Sequence, residues 1–304
     1  MSSISDGNVH APEHRETKPS QGDPARPVSE LFRLDHRTIL ITGASGFVGT
    51  TVAVAVFESG GDVVCMDVAP TPTASNWSDV ENAAKKHGAQ LSYYSLDVTD
   101  ENAVAEQFAR FIPTLRYPLK GLVACAGLSL DGPSTEFPVD RFRRMLDINV
   151  AGTFLVARAF ARELIRANNS GSVVLVASMS GYVTNKGVDT AGYNASKAGI
   201  HQLTRSLAAE WGSRVGIPLI RVNSLSPGYI RTAATAGALQ KPGIENQWIG
   251  DNMLYRLSTP DEYRAPVLFM LGDGSSFMTG SDLRVDGDIA LGSSLLSASY
   301  AKIV

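Results

Sequence analysis

From Thr38 onward the chain alternates short β-branched runs with longer stretches whose apolar positions recur at helical spacing. That alternation is the mark of crossover units around a parallel sheet buried on both faces. The predicted strands are TILIT (38–42), DVVCM (62–66), LSYYS (91–95), LKGLVACA (119–126), SVVLVA (172–177), LIRVNSLS (219–226) and DLRV (282–285). Helices are predicted over 47–59, 100–111, 150–168, 192–212 and 260–271. Together they predict one doubly wound, Rossmann-type α/β domain, a parallel seven-stranded sheet with helices on both faces. The stretch 229–257, rich in Ala, Gly and Gln, breaks the rhythm directly after a strand end. Ligands of open α/β sheets bind beyond the carboxyl ends of strands, so this stretch is expected to be a substrate lid.

Before Thr38 the pattern is absent. Residues 1–30 are rich in Ser, Pro and charge and read as a flexible leader, with the domain over 31–290 and a tail at 291–304. Hydrophobic residues make up 44% of the chain and charged residues 19%, enough apolar material for a large core. A net charge of -3 and a pI near 6.0 give no basic field for a nucleic acid or an anionic membrane, and neither partner is expected. No run of apolar residues is long enough to span a bilayer, and the first residues lack the order of a signal peptide. Cys65 and Cys125 lie far apart in strand-like runs, which speaks for a reducing, cytoplasmic setting. The histidines show no metal-ligand spacing, and no metal site is expected.

Candidate chemistry is concentrated at strand ends. TGASGFVG (42–49) follows the first strand and opens a helix, where Gly43, Gly46 and Gly49 permit a tight turn and helix N–H groups face a pyrophosphate. Ser45, Phe47 and Val48 belong to the same turn, which would equally serve plain helix–strand packing. Asp67 closes the second strand, where a carboxylate suits a ribose diol and repels a 2′-phosphate; NAD is therefore expected over NADP. The alternative is an Asp starting the turn toward Pro70. In YNASK (193–197), Tyr193 and Lys197 share one helical face, and a nearby ammonium lowers a phenol pKa that is otherwise too high for proton exchange near neutrality. Ser178 stands at the mouth of a strand, with Ser180 as a competing hydroxyl. Asn149 either caps a helix or orders a water. His201, on the face of Tyr193 and Lys197, reads as a packing residue.

These motifs in this order resemble the short-chain dehydrogenase/reductase superfamily over about Thr38 to Gly287. Carried with them are LDV at 96–98, ACAG at 124–127, NVAG at 149–152 and SPGYIRT at 226–232. The resemblance implies hydride transfer between a nicotinamide cofactor and a ketone or secondary alcohol. By it, Tyr193 is the proton donor or acceptor, Ser178 the oxyanion stabiliser, Lys197 the tuner of the Tyr pKa and a holder of the nicotinamide ribose, and Asn149 the holder of a relay water. Asp97 and Val98 would meet the adenine, and Ala126 and Gly127 would line the adenosine side. Pro227 and Gly228 would form the wall beside the nicotinamide, with Ile230 and Thr232 reaching its carboxamide.

SMSG, YNASK and SPGYIRT are similar to fungal ketose reductases and polyol dehydrogenases of the single-domain branch, which form dimers or tetramers through two long helices. Here those helices are 150–168 and 192–212, both with apolar positions beyond the needs of one face: Phe154, Leu155, Phe160, Leu164, Leu203, Leu207 and Trp211. Phe47 stands where that branch places its middle glycine, a spelling similar to the sugar-nucleotide branch. A sugar-nucleotide epimerase or dehydratase therefore stays open, as does a nicotinamide-binding protein or cyclase without redox chemistry. The substrate is left between a polyol or ketose and a secondary-metabolite ketone. Candidate contacts on the loops are Ser129, Met179, Tyr182, Asn185, Tyr229, Gln247 and Trp248.

Overall fold

The computed structural model describes residues 26–73 and 75–289. Seven strands form one parallel sheet: β1 (Thr38–Thr42), β2 (Asp62–Asp67), β3 (Leu91–Ser95), β4 (Leu119–Ala124), β5 (Gly171–Val176), β6 (Ile220–Pro227) and β7 (Asp282–Val285), in the order β3-β2-β1-β4-β5-β6-β7. The nine α-helices among the described residues are α1 (Phe47–Glu58), α2 (Trp77–His87), α3 (Glu101–Phe111), α4 (Val139–Leu146), α5 (Thr153–Arg166), α6 (Ala191–Ser213), α7 (Ala233–Leu239), α8 (Ile244–Gly250) and α9 (Arg264–Leu271). Strand order reverses at β1, which pairs with β2 on one side and β4 on the other, and the crevice opened there is where an α/β sheet binds ligands.

Every residue of β1 is buried, so Ile39 and Ile41 pack on one face while Leu40 packs on the other. Leu40, Val64, Phe108, Phe160 and Trp211 belong to the core beneath α3, α5 and α6. Ile39, Val56, Phe57, Tyr263 and Val267 belong to the opposite one, beneath α1 and α9. A third, smaller core of Met179, Tyr229, Ile244, Trp248 and Leu257 packs the 229–257 stretch onto the domain.

Every expected strand is present, with ends moved by up to two residues. Two helices escape the sequence pattern. α2 buries only Val80 and Ala84, and α4, whose Val139, Phe142 and Met145 recur at helical spacing, spans just eight residues. The helix expected over 150–168 begins earlier, because α4 runs through a π turn (Asp147–Gly152) into α5. The stretch 229–257 contains α7 and α8. The last of the expected leader is structured: Arg26 pairs with Asp273 at 3.0 Å, and a 3-10 turn (Val28–Phe32) lies over α9. The remainder of the leader and the tail at 291–304 lie outside the described residues.

The apolar excess on the two long helices has an internal cause. Phe160, Leu164, Leu207 and Trp211 are buried in the chain's own core, since α5 and α6 pack against both the sheet and their neighbours. Phe154 alone of that set is counted as exposed.

Candidate active site

The glycine turn closes tightly on the end of β4. Gly43 has φ +64, and a Cβ there would lie 2.6 Å from the Ala126 backbone nitrogen. At Gly49 a Cβ would lie 2.5 Å from the Gly43 carbonyl oxygen. Gly46 caps α1, so the first-turn N–H groups of Phe47, Val48 and Gly49 lie at the loop's end. Phe47 is 38% exposed and begins the helix, which answers how its ring is accommodated.

Beside this turn runs a cleft of about 390 Å³ lined by Gly43, Gly46, Asp67, Asp97, Val98, Ala126 and Gly127. Its glycine floor and paired acids fit the adenosine half of a dinucleotide. Asp67 Oδ2 accepts the Ser45 backbone N–H at 2.9 Å, which fixes the carboxylate at the end of β2. Asp97 Oδ1 accepts from the Thr99 N–H (2.9 Å) and hydroxyl (2.7 Å), while its Oδ2 accepts from Arg144 Nη2 (2.9 Å). Those bonds, the Thr99 hydroxyl first, hold the Asp97 carboxyl down at about 2. Arg144 also lines the cleft and was missed from sequence. Its signal was available only through the unrecognised α4, which carries it toward Asp97.

The expected catalytic residues converge where β4, β5 and α6 meet. Ser178 lies just past β5, and its Oγ accepts the Ser180 N–H at 3.1 Å. The Ser180 hydroxyl donates to Asn185 Oδ1 at 3.0 Å, which removes it as a rival and commits Asn185. Tyr193 and Lys197 stand one turn apart on α6, the ammonium 5.6 Å from the phenol ring centre, with Nζ donating to the Val176 carbonyl at 2.7 Å. Asn149 is buried inside the π turn and is not a helix cap. Its Oδ1 accepts the Leu128 N–H (2.7 Å), and its Nδ2 donates to the Leu128 carbonyl and to Ser196 Oγ, both at 2.9 Å. A Cβ on Gly127 would lie 3.4 Å from Asn149 Oδ1 and 3.7 Å from Lys197 Nζ, so the glycine keeps that corner open.

Burial pushes the Tyr193 phenol up, opposed by the adjacent Ser178 hydroxyl. The Lys197 ammonium is turned to the Val176 carbonyl. Burial pushes Lys197 itself down to about 8, opposed by Cys125, whose thiol burial pushes up to about 12.

Beyond β6, the Gly228 N–H donates to the Val285 carbonyl, and a Cβ on Gly228 would lie 2.7 Å from Asp286 Cα, which explains the glycine after Pro227. Ile230 bridges to Ser258, and Thr232 forms a reciprocal cap with Thr235 at the start of α7. Several expected substrate contacts are spent elsewhere. Tyr229 stacks on Trp248 at 4.0 Å, both packed with Met179 in the lid core. The Tyr182 hydroxyl donates to Asp282 Oδ2 at 3.1 Å, and its ring stacks on His201. His201 is buried against Ser226 at 2.8 Å, a packing residue as expected. Among the described residues, no acid, His or Cys cluster is arranged to hold a metal, and no helix is long and apolar enough to cross a membrane.

A seven-stranded parallel sheet, a glycine turn at the strand-order reversal, and a Ser, Tyr and Lys gathered beyond the strand ends define a nicotinamide-cofactor oxidoreductase acting on alcohol or ketone groups. The chain belongs to the short-chain dehydrogenase/reductase family. A family model described as enoyl-(acyl carrier protein) reductase matches residues 43–288. The chain is 75% identical over 287 residues, 94% of this chain and 98% of the relative, to the short chain dehydrogenases/reductase notP' of Aspergillus versicolor. It is 33% identical to the NADH-dependent L-xylulose reductase of Ambrosiozyma monospora, over 84% of this chain and 96% of that one. Among solved structures it is similar to the NADPH-dependent 3-quinuclidinone reductase of Rhodotorula rubra, with a TM-score of 0.78, 27% identity, and 90% and 98% of the two chains covered.

Proposed function

We propose that Tyr193 exchanges the proton, Ser178 stabilises the oxyanion, and Lys197 and Asn149 complete a proton path in a reaction that interconverts a ketone and a secondary alcohol. The observation that carries this reading is the convergence of Ser178, Tyr193 and Lys197 at one buried corner, with Ser180 turned away to Asn185. When bound, NAD supplies or accepts the hydride at its nicotinamide ring. Tyr193, kept protonated near neutrality by burial, suits donation to a developing alkoxide. Ser178 donates to the same oxygen. Lys197 Nζ and Asn149 Oδ1 both approach the open corner at Gly127, the place for a relay water and for the nicotinamide ribose. Pro227, Gly228, Ile230 and Thr232 would flank the nicotinamide, while Asp97, Val98, Ala126 and Gly127 would hold the adenosine.

NAD is the preferred cofactor in this reading. Asp67 sits at the ribose position, Arg144 is already engaged by Asp97 and Thr99, and the next cations in sequence, Lys85 and Lys86, lie in the last turn of α2. A 2′-phosphate would meet like charge there. The L-xylulose-reducing relative supports NADH and a ketose or polyol, and the quinuclidinone reductase supports a ring ketone. The two free cysteines support a cytoplasmic setting. Phe154 on α5 supports a homo-oligomer, dimer or tetramer.

The test is Tyr193→Phe. NADH binding by fluorescence should persist, and turnover should fall by about 100- to 10,000-fold, the range of general acid–base catalysis. Near-normal steady-state activity would remove Tyr193 from the mechanism.

A further inference from the structure

Close to the catalytic corner lies a second cavity, of about 360 Å³, walled by Leu130, Phe137, Val139 and Phe142 and floored by Ala191 and Gly192. Its size falls within the range of small-molecule sites, roughly 300–1,000 Å³. Only Ser134 and Asp189 bring polar side chains to its lining. Three ties join it to the reaction site. Gly192 immediately precedes Tyr193 in α6. The loop forming the opposite wall is anchored to the catalytic corner at Leu128, whose N–H and carbonyl are both held by Asn149, and to the floor at Gly132, whose N–H donates to the Asp189 carbonyl at 2.9 Å. The lid reaches the same rim, since Lys241 Nζ donates to Asp131 Oδ2 at 2.8 Å. Gly192 also shapes the floor: a Cβ there would lie 2.7 Å from Met145 Cε and 2.9 Å from Phe142 Cδ2, so the bare backbone lets the Phe142 ring lie flush against the first turn of α6.

The polar groups on the surrounding loops are largely committed. Asn185 accepts from Ser180, Tyr182 donates to Asp282, Thr190 donates to Asn194, and Lys241 donates to Asp131. Ser134 and Asp189 are exposed and keep their water, so a sugar alcohol entering here would surrender water from several hydroxyls for those two side-chain partners, whereas an apolar ring would need none. We infer that this cavity is the apolar subsite of the substrate, and that the enzyme takes a ketone or secondary alcohol borne on a bulky, largely hydrophobic ring system in preference to a polyol or ketose. The inference rests on the hydride-transfer reading above and changes only what is carried to Tyr193.

The experiment compares 2-tetralone, a fused-ring ketone, with L-xylulose in NADH oxidation by the full chain. Expected is a kcat/KM for 2-tetralone on the order of 100-fold higher, the scale on which apolar pockets discriminate. Val139 is 61% exposed at the rim, so Val139→Asp tests the cavity without disturbing the core. That variant should lose about tenfold or more on 2-tetralone while its NADH dissociation constant, measured by fluorescence, stays as it was. Equal or better turnover of L-xylulose overturns the subsite and leaves hydride transfer standing. If 2-tetralone raises the melting temperature of the NADH complex without being reduced, the subsite holds and the hydride-transfer reading fails. A ketone neither bound nor reduced overturns the inference, as does a Val139→Asp variant that handles it unchanged.

Discussion

Burial acts in opposite directions on the two side chains at the centre of the site, raising the phenol of Tyr193 and lowering the ammonium of Lys197 to about 8. Below about pH 8 the first is protonated and the second charged, the pair of states that ketone reduction requires. As pH rises through about 8, Lys197 sheds its proton while Tyr193 still holds its own. Reduction kcat/KM should therefore fall on the alkaline side with a midpoint near 8, which a pH–rate profile with NADH checks; a flat profile to pH 10 would separate Lys197 from catalysis. Asp67 supports a second expectation at this scale. Asp67→Ser with Val68→Arg removes the carboxylate and supplies a guanidinium, and should turn the NADH/NADPH ratio of kcat/KM toward NADPH by at least tenfold. If the unaltered enzyme already favours NADPH, Asp67 does not face the ribose.

Among the elements, the π turn is the one that joins scaffold to site. It sets Asn149 in the middle of a continuous helical run, where one amide satisfies both backbone groups of Leu128 and reaches Ser196. Asn149→Ala strips those partners away and should destabilise the fold by about 1–3 kcal/mol, the cost of polar groups left unmade, with a lower melting temperature in calorimetry. An unchanged melting temperature would mean water replaces the amide without loss. The strands were legible because burial on both faces demands near-continuous β-branched runs, as in TILIT and DVVCM. α2 and α4 were not: α4 keeps Val139, Phe142 and Met145 at helical spacing over only eight residues, and α2 buries only Val80 and Ala84. Arg144 stayed hidden with α4, since its relation to Asp97 exists only across two elements. The stretch 229–257 was legible as an interruption, but the stacking of Tyr229 on Trp248 depends on how two short helices fold back, which spacing alone does not encode.

At the scale of the whole molecule, the apolar arcs of α5 and α6 were read from sequence as surfaces for a second copy, yet most of their bulk is consumed within the chain. What α5 leaves exposed for assembly is Phe154, over which Arg158 lies at 5.6 Å, and Ile165. Light scattering at micromolar concentration should give a dimer or tetramer, and Phe154→Asp should lower that mass; a monomer from the unaltered chain would end the assembly reading.

The order of the sheet also governs how the chain comes into being. Its central strand β1 is made first, but one of its two neighbours, β4, leaves the ribosome only after β2, β3 and three helices, with Thr38 finally set against Leu119. Until then one edge of a strand that is buried throughout in the folded chain has no mate. Pairings that wait on distant sequence form slowly and leave such edges open to other chains. The nascent protein thus spends its early life with its most aggregation-prone edge uncovered, and its yield in a cell depends on how quickly the middle of the chain arrives to close it.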